Sequence, residues 1–412
     1  MSKYLEKHRF TGPIFERPNF TPDIIVCLPV LNESNLLETM HSLAKAQIQY
    51  AGNVLVIILF NHSETADKAV KKANRINFSN FAKAIADYQS SSFSIQAHLM
   101  ELPQKHAGVG LARKILMDEG VRLFILAENE KGILAAMDGD STVALNYFET
   151  IDHFFQENPK SEAVSIHFEH PFPDNAAKRK AIIQYELHLR YFVEAQKMAG
   201  LPTAFQTIGS SMAVRQVAYQ LQGGMNKRKA GEDFYFLQKF ARKGTLANLT
   251  TTTVFPSARI SDRVPFGTGR AMGKLLTSET ELTSHALVIF DQIKLLFDQL
   301  PTFWDKNRRE LGQLMKTLPP AVRDFLTEND FLDRVLDAQK HTASQAAFLK
   351  RFYSWFDAFL MMKYVHFARD NYYPDESIIL LAYTFAVRQW AYNGDKTDIE
   401  ALLKIYRSPI HG

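Results

Sequence analysis

Leu134-Ala135-Ala136-Met137-Asp138-Gly139-Asp140-Ser141 is an apolar run that ends in two aspartates separated by one glycine. A buried strand that empties into Asp-Gly-Asp places two carboxylates at its C-terminal edge. On an extended chain residues i and i+2 point the same way, so Asp138 and Asp140 can both reach one cation. The glycine removes side-chain bulk and admits a ligand close to the backbone. Hard oxygen ligands suit Mg2+ or Mn2+, which keep several waters and complete their shell from substrate phosphates. Alone, the pattern also describes a solvated turn after a strand, so its meaning depends on its surroundings.

The surroundings are α/β. Residues 23–30 (Asp23 to Val30) are β-branched and apolar, as buried parallel strands are, and run into Leu31-Asn32-Glu33-Ser34. Ser34 or Asn35 can cap a helix over about 36–46. A second apolar strand, 53–60, leads to Asn61-His62-Ser63-Glu64, and helical sequence resumes near Thr65. Strand, polar loop and helix in repetition predict a parallel sheet whose ligands bind beyond the carboxyl ends of the strands. A third strand is expected over 95–101. It leads to Lys105-His106-Ala107-Gly108 and a helix carrying Arg113, whose N-terminus attracts anions. Residues 1–20, with Pro13 and Pro18, read as an irregular arm.

Composition narrows the function classes. The chain has 412 residues, 46% apolar and 22% charged, as expected of a soluble globular protein. A net charge of +4 gives no nucleic-acid footprint, and Lys227-Arg228-Lys229 reads as solvated surface. One cysteine, Cys27, cannot form an internal disulfide, which fits a reducing cytosol. The segment from Met1 to Phe10 has no apolar region of the secretory type, and the apolar runs 54–60 and 378–387 are too short to span a bilayer. The expected location is cytoplasmic; a peripheral seat at an inner membrane face and a homo-oligomeric state both stay open.

Five motifs in order carry a family resemblance over about residues 22–272. They are Pro29 through Asn32-Glu33, Asn61-His62-Ser63, Gly108 to Arg113, Asp138-Gly139-Asp140, and a small-residue strand (Ile208 to Val214) before Gly231-Glu232-Asp233. The chain resembles a family 2-type glycosyltransferase of the GT-A fold. The resemblance implies a GT-A domain over 21–273 after the arm at 1–20, with a helical accessory domain over 274–412. It implies a nucleoside-diphosphate sugar as donor and an acceptor hydroxyl on a saccharide, a lipid-linked molecule or a small molecule. It implies Mn2+ or Mg2+ on Asp138 and Asp140. Pro29, Asn32, Glu33, Asn61, Ser63, Lys105, Gly108, Arg113 and Asp138 would line the donor site. Asp233 would be the base of an inverting transfer, with Glu232 beside it. Two departures are visible. Asn61 and His62 stand where many relatives carry consecutive aspartates, and the Q-x-x-R-W motif of membrane-embedded relatives is absent.

Several segments are read on their own chemistry. Ser257 to Arg270 holds Arg259, Arg263 and Arg270 among glycines and hydroxyls. Planar guanidinium forks suit phosphate oxygens, so this loop is expected to close over the diphosphate. Glu232-Asp233 precedes a helical run, where carboxylates are stabilised whether or not they are catalytic. His167 and His170 are ordinary packed residues more often than ligands. Residues 174–200 read as an amphipathic helix, which the resemblance implies shapes the acceptor pocket, with Tyr185, Glu186, His188 and Arg190 as polar candidates. From about Leu275 helical periodicity dominates, and 348–367 reads as one aromatic helix whose stripe is core. Three other readings compete: a nucleotidyltransferase, a D-x-D-x-T phosphatase built on Asp138-Gly139-Asp140-Ser141-Thr142, and a non-catalytic nucleotide-binding scaffold.

Overall fold

The computed structural model describes residues 2–33, 35–261, 267–277 and 281–408. Ser34 and Arg263, singled out above, lie outside them. Contacts divide the chain into two compact units, Met1–Pro171 with Thr207–Arg270, and Phe172–Gln206 with Ala271–Gly412.

The first unit is built on an eight-stranded sheet. In chain order its strands are β1 (Ile24–Val30), β2 (Val54–Ser63), β3 (Phe93–Leu102), β4 (Ile133–Ala136), β5 (Thr142–Val143), β6 (Ala163–Phe168), β7 (Met212–Arg215) and β8 (Leu246–Phe255). All of β1 and β4, and all of β2 except Ser63, are buried. Continuous apolar runs of this kind are what a sheet covered on both faces needs. The spatial order is β3-β2-β1-β4-β7-β6-β8-β5. Strands β3, β2, β1 and β4 are parallel, with Val26 opposite Val56 on one side and Ala135 on the other. The sheet is nevertheless mixed. β7 runs antiparallel to β4 and β6, and β5 antiparallel to β8. β6 and β8 pair parallel and run the same way as β4, so the expectation of a parallel sheet fails only at β7 and β5; a strand's own apolar run does not record its neighbour's direction.

From β1 the chain builds outward to β2 and β3, then returns to place β4 on the other side of β1. That reversal makes the β1/β4 boundary the topological switch point, where open α/β sheets leave a crevice beyond the strand ends. Glu33 follows β1 and Asp138 follows β4, so both open onto this crevice.

The helices of this unit are α1 (Lys3–His8), α2 (Leu36–Ile48), α3 (Lys68–Ala84), α4 (Val109–Leu126) and α5 (Tyr147–Glu157), then, after α6 (Ala176–Ala199) of the second unit, α7 (Gln216–Leu221) and α8 (Glu232–Lys243). Helix α4 is buried along most of its length, including Arg113, Lys114, Asp118 and Glu119. Those charges are paired, as burial requires. Lys114 Nζ lies 2.9 Å from Asp118, which also accepts from the hydroxyls of Tyr4 (2.8 Å) and Tyr219 (2.7 Å). Glu119 accepts from the backbone N–H groups of Ile14 and Phe15. The N-terminal arm is therefore not simply irregular. It contains α1, capped by Ser2, and it is fastened to α4 by two buried acids.

The second unit is helical. The long helix α6 (Ala176–Ala199) packs with helices of the C-terminal region, whose core includes Leu187, Tyr191, Phe290, Ile293, Tyr364 and Phe385. Glu186, fully buried, accepts from Arg190 Nε and Arg407 Nε, each at 2.8 Å. The aromatic stretch 348–367 is two helices, Gln345–Trp355 and Ala358–Asn371, not one. Asp357 makes the break: its carboxylate accepts from the N–H groups of Phe359 and Leu360 at 3.0 and 3.1 Å and caps the second helix. Among the described residues no helix is long and apolar enough to cross a membrane.

Candidate active site

The Asp-Gly-Asp turn leaves β4 through Met137 and is held from the side by α2. Thr39 Oγ1 donates to the Gly139 carbonyl at 3.1 Å, and Ser42 Oγ accepts from the Val143 N–H at 2.8 Å. A Cβ on Gly139 would stand 3.0 Å from Val30 and 3.2 Å from Glu33, so the glycine lets the ends of β1 and β4 close together. Neither Thr39 nor Ser42 is visible as a site residue in the sequence; each looks like an ordinary polar position on an amphipathic helix.

Arg113 is the centre of the constellation. It is 1% exposed, and its Nη1 donates to Glu232 Oε1 while Nη2 donates to Asp138 Oδ1 at 2.7 Å. One guanidinium thus ties the strand-end aspartate to the carboxylate that begins α8. Burial works against its charge, but Glu232, Asp138 and Asp233 more than offset this and raise its pKa. Its Nε has no hydrogen-bond partner among the described residues, and neither has the buried hydroxyl of Ser141 or Ser211. Glu232 is 2% exposed, and burial lifts its carboxyl above the usual range against the pull of Arg113. Asp233 is partly exposed. The surrounding protein raises its carboxyl too, with Arg113 and the N–H groups of Phe234 and Gly209 opposing.

Gly209 makes this arrangement possible. A Cβ there would lie 2.7 and 2.9 Å from the two Nη atoms of Arg113 and 3.0 Å from Asp233 Oδ2. The sequence presented Gly209 only as one of several small residues before β7. Gly108 and Gly110 have a comparable role: they admit the backbone of Lys229 and Arg228, whose carbonyl would be 2.1 Å from a Cβ at Gly110. The Lys227-Arg228-Lys229 run is accordingly more than solvated surface. Arg228 stacks over the Tyr235 ring at 3.7 Å and Lys227 lies over Phe10 at 5.2 Å.

A second guanidinium closes the other side. Arg259 Nε donates to Asp140 Oδ2 at 2.5 Å, and its Nη2 reaches both oxygens of Glu33 at 2.7 and 2.5 Å. Glu33 is pushed up to about 8, first by burial and then by Asp140, against the pull of Arg259. Five carboxylates (Glu33, Asp138, Asp140, Glu232 and Asp233) share two guanidinia. Asp138 and Asp140 offer the hard-oxygen donors that Mg2+ or Mn2+ prefer, in a neighbourhood with acid to spare. Among the described residues no three His, Cys, Asp or Glu side chains gather as a metal-holding group. A cation held by these two aspartates would complete its shell from water and phosphate oxygens.

The remaining sequence-predicted residues divide between the crevice and the interior. Asn32 sits just past β1 with φ of 49°, a conformation asparagine tolerates, and its Oδ1 is buried without a hydrogen-bond partner among the described residues. Pro29 is buried within β1. Asn61 and His62 belong to β2, not to a loop. The Asn61 amide donates to the Val30 carbonyl at 3.0 Å, and His62 lies between Asn74 and Glu101. Ser63, at the end of β2, hydrogen-bonds Thr65. Lys105 and Arg270 are exposed. His167 contacts Glu169, and buried His170 contacts Thr268. In the second unit Glu186 and Arg190 are spent on the buried ion pairs, and His188 contacts Ser284 at 2.9 Å.

No protein-family model matches this chain, and no curated protein matches it. Among solved structures it is similar to TarS of S. aureus, at 13% identity and a TM-score of 0.36, over 84% of this chain and 55% of TarS. It is also similar to the mannosyltransferase PcManGT of Pyrobaculum calidifontis, a structure in complex with GDP-Man and Mn2+. That likeness is at 15% identity and a TM-score of 0.36, over 89% of this chain and 91% of PcManGT. The chain spans only about half the length of TarS. Neither overlay is close, so the site must be read from its own side chains.

Proposed function

We propose that this protein transfers a glycosyl unit from a nucleoside-diphosphate sugar to an acceptor hydroxyl, with inversion and with a divalent cation at Asp138 and Asp140. One observation carries the reading: a single buried guanidinium, that of Arg113, joins the strand-end Asp138 to the Glu232-Asp233 pair at the switch-point edge of the sheet. The cation, when bound, supplies Lewis-acid neutralisation of the departing diphosphate. Asp233 takes the acceptor proton as the acceptor oxygen attacks the anomeric carbon and the bond to the diphosphate breaks. Its partial exposure and raised proton affinity suit a general base. Glu232 is closed off against Arg113 and acts as a positioning residue. Exposed Lys105 and Arg270 offer positive charge to phosphate oxygens. The D-x-D-x-T phosphatase reading loses ground because its motif follows the first strand of that fold, whereas Asp138 follows β4.

The test is calorimetric titration with UDP and GDP, each with and without Mn2+, on the wild type and Asp140→Ala. Binding of one nucleotide that strengthens with metal and disappears in the variant is the expected result. Failure of both nucleotides under every metal condition would remove this donor class.

A further inference from the structure

Arg113 and Arg259 both neutralise the acidic crevice, but they are placed very differently. Arg113 stands in the second turn of α4, with its side chain 2% exposed, locked between Glu232 and Asp138. Arg259 stands on a segment without regular secondary structure after β8, with its side chain 30% exposed. Its Nε and Nη2 present one edge of the guanidinium to Asp140 and Glu33 together. Both acids are mostly covered, at 18% and 10% side-chain exposure, so solvent and salt screen these pairs less than surface pairs. Arg259 thus covers an oxygen of Asp140 that a divalent ion on the Asp-Gly-Asp turn would take.

We infer that Arg259 is a resident counter-cation, which the divalent ion must displace from Asp140 and which then turns to the diphosphate of the nucleotide. The inference rests on the proposed cation site at Asp138 and Asp140. Its logic is charge exchange. A divalent ion at Asp140 leaves the guanidinium of Arg259 without one of its acids, beside a positive centre. A diphosphate gives it planar, bidentate acceptors. Metal alone therefore binds only the fraction of molecules in which Arg259 has moved aside, and its apparent affinity falls by that fraction. The nucleotide stabilises the displaced state, so metal and diphosphate strengthen each other's binding reciprocally.

The experiment is a Mn2+ titration of the full chain, followed by the electron paramagnetic resonance signal of free Mn2+. It is run on the wild type, Arg259→Ala, Arg259→Lys and Asp140→Ala, each without and then with inorganic pyrophosphate. Circular dichroism melts confirm that each variant folds. Arg259→Ala is expected to bind Mn2+ alone on the order of tenfold more tightly than the wild type. Arg259→Lys should lie between them, because an ammonium is a point charge without the fork. Pyrophosphate should strengthen Mn2+ binding by a larger factor in the wild type than in Arg259→Ala. Equal or weaker Mn2+ binding by Arg259→Ala would overturn the inference while leaving the metal site intact. Absence of Mn2+ binding in the wild type and in Arg259→Ala, with pyrophosphate present, would overturn the cation site and the inference with it.

Discussion

Replacing Arg113 by methionine keeps most of the side chain's length and removes its charge from the centre of the crevice. The Asp138 pair is half open to water and contributes little on its own. The decisive partner is Glu232, whose side chain is 3% exposed. Without Arg113 its ionised carboxylate is buried and unpaired, and losing one partner of a buried pair costs about 3–5 kcal/mol. The folded protein can limit that cost by protonating Glu232. Holding a carboxyl neutral in the folded state, against an ordinary value of 4.5, costs about 4 kcal/mol near pH 7.5 and about 1.4 kcal/mol near pH 5.5. The sign follows from linkage. A carboxyl raised on folding binds more protons folded than unfolded, so its stability contribution is present below about 4.5 and lost as pH rises. Urea unfolding of Arg113→Met across this range should therefore show a large deficit at neutral pH that shrinks on acidification. The double variant Arg113→Met/Glu232→Leu should recover most of the stability at neutral pH and none of the nucleotide binding. A deficit below about 1 kcal/mol at neutral pH, or one independent of pH, would refute the buried-pair reasoning.

Gly209→Ala should keep the circular dichroism spectrum and lose on the order of 10–100-fold in turnover once a donor is known, because the added Cβ displaces Arg113 and Asp233 together. Wild-type turnover from Gly209→Ala would show that these two side chains need no fixed placement. His188, lowered to about 4 from 6.5 first by burial and then by His285, binds protons less readily folded than unfolded. Stability should therefore fall between pH 6.5 and 4, by at most about 3 kcal/mol and by less given its partial exposure; a His188→Gln denaturation series that keeps the wild-type pH slope would count against this. Asp357→Ala should lower stability by about 1 kcal/mol through the lost cap, read as a lower midpoint in urea, and no change would remove Asp357 as the helix-breaking residue.

The strands β1, β2 and β4 were legible because a strand covered on both faces has only one composition open to it. Their order was not, yet the position of Asp138 followed once β4 was seen to return beside β1. Local chemistry also placed Glu232-Asp233 at a helix start. Pairings across the chain were out of reach. That Arg113 meets Glu232, or Arg259 bridges Glu33 and Asp140, depends on sheet register and loop paths that no local pattern encodes. The same limit explains Asn61 and His62, which look like loop residues but lie inside β2 because β3 continues to pair with them as far as Leu102. Gly209 escaped notice because its importance is a clearance, and a clearance has no signature until the neighbouring atoms are known.

The division of the chain has a consequence for any attempt to take the molecule apart. The helical unit draws on two separate stretches, 172–206 and 271–412, so the polypeptide leaves the sheet unit, returns to it, and leaves again. Stopping translation at residue 270 would not yield a clean minimal enzyme. It would strand α6 with Leu187 and Tyr191, both fully buried in the intact protein, stripped of Phe290 and Phe385. Such a fragment is expected to aggregate rather than report on activity. The helical part is thus interwoven with the sheet part at the level of the gene, and modular shuffling would have to cut in at least two places.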